Sequence, residues 1–443
     1  MTDSPISTFI VTREKSNGAK IDVLKEFAGR DEFKITLVNY EPHILAKISL
    51  WKTIKYIIEN LTNHEDEFII ICEDYHQFTE HYQKDLLLKC IEQADKMNAD
   101  ILSGGVSVLQ HFVRVSPEIF WMGDFLGLQF TIVYRRFFKT ISTLVFGDED
   151  MSDLKISTLT ENKFFIYPFI SVQKEFGESD IKPLNNNEEK VDQFLDRAFE
   201  TIKYVDDVLL FYKQQRKELT PIDATSYENF YIPTYIINLP ERKDRLTHIK
   251  KQFEGKDEFD IRIIEAIKHQ KGNLGLWLTI RKIVEQAIID DHDIIIICED
   301  DHEFTEHYVK DCFISDVIET HALGAGMLLG GVGYFNCAAL ISKNKFWVGG
   351  FYCTQFTVIY KSLFQRILDQ PFDEKVAADG VFSKMTSNKL SLFPFISIQR
   401  FLGRSNINDE RSRPGFIDQL FKSSHLQLEQ MKKITDLYPC NNS

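Results

Sequence analysis

The chain has 443 residues, too many for one ordinary domain, and roughly 150 residues per domain points to two or three. A hydrophobic share of 44% is enough for packed cores and excludes a disordered or fibrous protein. The net charge of −14 argues against a nucleic-acid binder, which needs a basic face, and against docking on anionic lipid, while leaving room for a small anion held by a few arginines.

In chain order, the opening MTDSPISTFIVTREK has no basic segment followed by a long apolar run. No stretch reaches the ~18 apolar residues of a membrane span. A cytoplasmic chain is therefore expected. Seven cysteines, at 72, 90, 298, 312, 337, 353 and 440, form no C-x-x-C pair, which reads as buried free thiols in a reducing compartment.

The sequence is then written twice. FIIICEDYHQFTEHY at Phe68–Tyr82 returns as IIIICEDDHEFTEHY at Ile294–Tyr308. A shift of 226 aligns Trp51 with Trp277, Gly104-Gly105 with Gly330-Gly331, Gln129 with Gln355 and Pro168 with Pro394. So long a period makes each copy a whole domain. The expected organisation is a first domain at 1–182, a helical segment and linker at 183–229, a second domain at 230–408 and a helical tail at 409–443. In the segment after the first copy, Val191, Phe194, Leu195, Ala198 and Ile202 follow the three-four step of an amphipathic helix. PGFIDQLFKSSHLQLEQMKKITDLY is its counterpart after the second. Such helices close their own domains, pack between halves or form a homodimer, and the sequence leaves these open.

In the second copy TYIINL reads as a strand and PERKDRLTHIKKQF as a helix with Pro240 near its first turn. FDIRIIEA is a strand, and LGLWLTIRKIVEQAII a helix with apolar steps at Leu276, Ile280, Ile283, Val284 and Ala287. DIIIIC is too continuously apolar to be half-exposed, so it is a buried strand. GMLLGG and TQFTVIY are further strands, and KSLFQRIL a helix. This alternation predicts α/β layers around a mostly parallel, Rossmann-like sheet.

Ligands of such sheets bind beyond the carboxyl ends of the strands. IIIIC followed at once by Glu299, Asp300 and Asp301 puts three carboxylates there. In an extended chain Glu299 and Asp301 share one side, with Cα atoms about 6.5 Å apart, and Asp300 takes the other. Two carboxylates on one side suit Mg²⁺ or Mn²⁺ bridging a diphosphate. The competing reading is that these acids cap a following helix. Asn238 ends the first strand, where its amide could read a base or a ribose. Arg242 and Arg245 lie on the next helix, where guanidinium forks suit a diphosphate. The alternative for both is a solvated face paired with Glu241 and Asp244.

INLPERKDRL, LGLWLTIRKIVEQA, DIIIICEDDHEF, TQFTVIY and ADGVF come in the order seen in glycosyltransferase family 25, and the second copy resembles that family along nearly its whole length. The family includes lipopolysaccharide-biosynthesis galactosyltransferases and collagen-type glycosyltransferases. The resemblance implies tandem GT-A-like domains and an inverting transfer of a hexose from a UDP-sugar to a hydroxyl acceptor. Its N-L-x-x-R-x-x-R pattern is matched by Asn238, Leu239, Arg242 and Arg245, which with Glu299 and Asp300 would hold the nucleotide-sugar. Glu299 and Asp301 would be the metal ligands and Asp379 the base. An exposed acid or a helix cap is the other reading of Asp379. The acceptor, a glycan, a peptide or a small molecule, is left open. Where the family shows a Ser-His pair, this chain has Leu278 and Thr279.

Other residues compete for a role. His302 and His307 flank the acids, but their five-residue spacing does not make a metal pair. GGVGYF lacks the spacing of a phosphate loop and reads as a turn lining the cleft. Trp347, Phe351 and Tyr352 could stack on a sugar or belong to the core.

In the first copy Thr12, Ser16, Ala19 and Tyr75 stand where the second has Asn238, Arg242, Arg245 and Asp301, while Asp153 stands at the place of Asp379. The first copy is therefore expected to be catalytically degenerate. The alternatives are a bifunctional transferase with both copies active and a non-enzymatic glycan- or partner-binding protein.

Overall fold

The computed structural model describes residues 4–12, 17–40, 46–109, 111–147, 150–173, 191–218, 230–371, 378–403 and 413–439. The chain is mixed α/β and divides into two compact units, Met1–Lys203 with Lys433–Ser443, and Tyr204–Lys432. Ser16, Cys440 and most of the linker after the first copy lie outside the described residues, as do the side chains at 191–196.

Each unit is built on one eight-stranded sheet. In unit 1 the order across the sheet is Phe33–Asn39, Ile6–Thr12, Phe68–Glu73, Phe130–Tyr134, Ile101–Ser103, Lys163–Ile166, Ile119–Met122 and Phe112–Arg114. In unit 2 it is Phe259–Glu265, Ile232–Asn238, Ile294–Glu299, Phe356–Tyr360, Met327–Leu329, Lys389–Leu392, Lys345–Val348 and Ala338–Ser342. Equivalent pairings are displaced by the sequence period, as with Ile6 opposite Phe33 and Ile232 opposite Phe259. Only Phe130–Tyr134 and Ile119–Met122, with their counterparts Phe356–Tyr360 and Lys345–Val348, run against the other strands. These are mostly parallel Rossmann-like sheets, as the alternating pattern predicts.

The apolar runs explain the layers. Ile295, Ile296, Ile297 and Cys298 are all buried, so both faces of this central strand are covered. Helix Gly272–Ile289 buries Trp277, Ile280, Ile283, Val284 and Ala287. The helix expected after the first strand runs Lys243–Gln252, so Pro240 precedes it instead of sitting in its first turn. Helices Val191–Glu218 and Phe416–Leu437 form as the periodicity predicts. No described helix is long and apolar enough to cross a membrane.

Each unit also has a two-stranded antiparallel ribbon, His76–Phe78 with Ser171–Gln173 and His302–Phe304 with Ser397–Gln399. The chain after Asp301 thus enters a strand, which removes the reading of the acids as a helix cap. Gly330 and Gly331 pack against this ribbon. A Cβ on Gly331 would stand 2.3 Å from the Ser397 carbonyl oxygen, and one on Gly105 would stand 2.0 Å from that of Ser171. The described cysteines are free, and all are buried except Cys312, which is exposed.

Candidate functional site

Strands Ile232–Asn238 and Ile294–Glu299 are parallel neighbours, with Ile237 opposite Glu299, so Asn238 and the acids emerge at one edge. The strand stops at Glu299 and the chain turns through Asp300 and Asp301. This turn overturns the expected alternation. Asp300 and Asp301 both reach Arg245, whose Nη1 donates to Asp300 Oδ1 at 2.9 Å and to Asp301 Oδ2 at 2.9 Å. Asn238 Nδ2 donates to Asp300 Oδ2 at 2.8 Å and Gln399 Nε2 to Asp301 Oδ2 at 3.0 Å. The Asn238 amide, expected to read a ligand, is thus turned onto Asp300.

This cluster is largely withdrawn from water. Side-chain exposure is 13% for Arg245, 10% for Asp300 and 5% for Asp301. Burial works against the guanidinium charge, but the carboxylates of Asp301 and Asp300 outweigh it and hold the Arg245 pKa above its ordinary value.

Glu299 goes elsewhere. Thr354 Oγ1 donates to Glu299 Oε1 at 3.0 Å, and the Glu299 amide donates to the Gln355 carbonyl at 3.0 Å. The adjacent Cys353 amide donates to Asp379 Oδ2 at 3.1 Å. Consecutive residues thus clasp two carboxylates, and Asp379 is buried in the first turn of helix Ala378–Met385 instead of exposed in a loop. Cys353 is left-handed at φ 78°, a conformation its counterpart Gly127 adopts without Cβ strain at φ 115°. Lys389 Nζ caps the far end of the Asp379 helix, donating to the Ser383 and Thr386 carbonyls at 2.7 and 2.8 Å, and burial lowers its pKa to about 8.

Arg242 sits at the start of helix Lys243–Gln252, pairs with Asp244 at 3.1 Å and donates to the Leu402 carbonyl at 2.7 Å. Leu239 is half-buried and its carbonyl accepts from the Arg242 amide at 2.8 Å.

The arrangement does not fit the expected Mn²⁺ or Mg²⁺ site. Glu299 and Asp301 are held by different partners, and Asp301 shares a guanidinium with Asp300. Among the described residues no group of three His, Cys, Asp or Glu side chains could hold a metal ion. His302 is fully buried on its ribbon strand, with Nδ1 2.7 Å from Ser397 Oγ and its ring 4.9 Å from that of Phe356. Burial pushes its pKa well down. His307 is exposed.

Thr354, Gln399 and Cys353 were not singled out by the sequence, since they lie far from the acidic motif in the chain. QFT, shared by both copies, was the nearest signal. Trp347 and Phe351 are core, whereas Tyr352 is 45% exposed and pairs with Tyr334 at a ring separation of 5.5 Å. The outer face of the ribbon, with Glu303 and Ile398, lines a cavity of about 480 Å³ together with Phe304, Phe421, Asp418 and His425.

Unit 1 keeps the frame and the amide clasp on the late aspartate, but not the contacts around the acidic turn. Tyr75 donates its hydroxyl to Glu73, Thr12 Oγ1 turns to Asn39 at 3.3 Å, and Asp153 Oδ2 accepts from the Gly127 amide at 2.8 Å. Burial, then the Glu73 charge, raises the Tyr75 pKa well above its ordinary value, and burial raises that of Asp153.

No protein-family model matches the chain, and no curated protein matches it by sequence. Solved structures similar to it include A197 from STIV, with 9% identity over 41% of this chain and 100% of that one, at a TM-score of 0.26. Apo-UDP-glucose pyrophosphorylase has 10% identity over 36% of this chain and 72% of that one, at 0.24. The mannosyltransferase PcManGT from Pyrobaculum calidifontis, in complex with GDP-Man and Mn²⁺, has 12% identity over 55% of this chain and 86% of that one, at 0.24. Scores this low carry no weight for fold or function.

Proposed function

We propose that unit 2 is a glycosyltransferase that moves a hexose from a UDP-sugar to an acceptor hydroxyl with inversion at the anomeric carbon. The observation that carries this reading is the clasping of Glu299 and Asp379 by Thr354 and Cys353 at a strand-end edge. The meeting of Asn238 and Arg245 with Asp300 and Asp301 supports it, because the two motifs behind the resemblance to glycosyltransferase family 25 lie far apart in sequence. In this reading Asp379 takes the acceptor proton as the hydroxyl oxygen attacks the anomeric carbon, and the diphosphate leaves with the bonding pair. The amino end of helix Lys243–Gln252 faces the leaving charge with backbone N–H groups. Tyr334 and Tyr352 offer a ring surface to an acceptor sugar. No step is assigned to a metal, because the residues do not fit one. Unit 1 is a degenerate copy in this scheme.

Calorimetric titration of UDP into the full chain tests the proposal. Binding that is abolished by Asp300→Asn is expected. No UDP binding would remove the UDP-sugar reading. A second reading, a glycan-binding protein without catalysis, draws on the aromatic cavity beside the ribbon, and would show glycan binding without donor turnover.

A further inference from the structure

Asp300 and Asp301 are buried and adjacent, and such a pair needs a counter-ion. In a nucleotide-binding site that ion is commonly a divalent metal shared with the ligand's phosphates. Here Arg245 supplies the charge from within the chain, through one nitrogen 2.9 Å from an oxygen of each acid. Asn238 and Gln399 fix the two carboxylates in that position.

The internal repeat provides an independent observation. In unit 1 the arginine position is Ala19 and the second acid position is Tyr75, a neutral residue. An arginine serving phosphates and an aspartate serving a metal could be lost separately. In unit 2 Asp301 has that arginine as its ion-pair partner, with Gln399 donating beside it. Unit 1 has lost both members together, which fits a charge pairing between Arg245 and Asp301, while its Glu73 and Asp74 stay buried with Tyr75 donating to Glu73.

We propose that Arg245 is the resident counter-ion of the Asp300–Asp301 pair and stands in the place of a divalent cation, so that these acids take up no divalent metal ion. The claim about the counter-ion does not depend on the transferase reading, because metal uptake is measured without donor or acceptor.

The test is titration of the metal-free full chain with Mn²⁺, with free Mn²⁺ followed by electron paramagnetic resonance. The wild type is expected to take up no stoichiometric Mn²⁺ at the acids. Arg245→Ala should free them and gain one Mn²⁺ per chain, lost again in Arg245→Ala/Asp301→Asn. One Mn²⁺ bound per wild-type chain and lost in Asp301→Asn would overturn the proposal. Thermal unfolding gives a second readout. Arg245→Ala should lower the midpoint, and adding Asp301→Tyr, the pairing found in unit 1, should restore part of the loss. A midpoint that falls further on adding Asp301→Tyr would also overturn it. If Arg245→Ala does not fold, the wild-type titration still decides.

Discussion

Asp379 accepts the Cys353 amide through one carboxylate oxygen and is buried at the start of a helix whose far end Lys389 caps. Asp379→Asn preserves shape and removes the proton acceptor. Donor-to-acceptor transfer should then fall about 10²–10⁴-fold, the range for a lost general base, while UDP affinity in calorimetry is unchanged. A loss of UDP affinity with turnover intact would assign Asp379 to binding instead. The left-handed Cys353 shows how the surroundings enforce this geometry, since a non-glycine residue there costs on the order of 1–2 kcal/mol. The sequence marked Asp379 through a short motif. It gave no sign of Cys353 or Thr354, because an amide that clasps a distant carboxylate leaves no signature in residue type.

The ribbons are the elements that join each sheet to its site. Gly331 faces the Ser397 carbonyl so closely that a Cβ would stand 2.3 Å from a backbone atom. Gly331→Ala should therefore destabilise unit 2 by about 1–3 kcal/mol, as overpacking does, measured by urea unfolding of the full chain. An unchanged midpoint would mean that the ribbon shifts freely. His76 and His302 pack their rings against Phe130 and Phe356 at the base of the ribbons. Burial lowers the His76 pKa to about 3 and that of His302 well below its ordinary value. The folded chain therefore resists a proton that the unfolded chain takes up near pH 6.5, so stability falls as pH drops through the window from about 6.5 to about 3. His76→Phe should lose less stability than the wild type across that window. Equal acid sensitivity of the two proteins, followed by circular dichroism, would contradict the assignment.

Over the whole molecule, two sheets of the same strand order carry unlike edges. Unit 2 has Asp300 bonded to both Asn238 and Arg245, with Arg245 also reaching Asp301, and unit 1 has Tyr75 turned onto Glu73. One UDP per chain is therefore expected in the calorimetric titration, unaffected by Tyr75→Phe. A stoichiometry of two would revive the reading in which both copies are active.

The sequence alone determined the repeat, the order of strands and helices, and the carboxyl edge where the acids cluster. Hydrophobic periodicity and the Gly-Gly, Gln-Phe-Thr and acidic words are local, and each copy repeats them at fixed spacing. It could not determine where the acids point. The extended-chain expectation paired Glu299 with Asp301, whereas the chain turns at Asp300 and both aspartates meet Arg245. Thr354 and Gln399 arrive from 55 and 98 residues along the chain to hold Glu299 and Asp301. Only the tertiary structure decided this, because buried charges settle on whichever donors packing brings within reach, and that choice is not written in the spacing of the acids themselves.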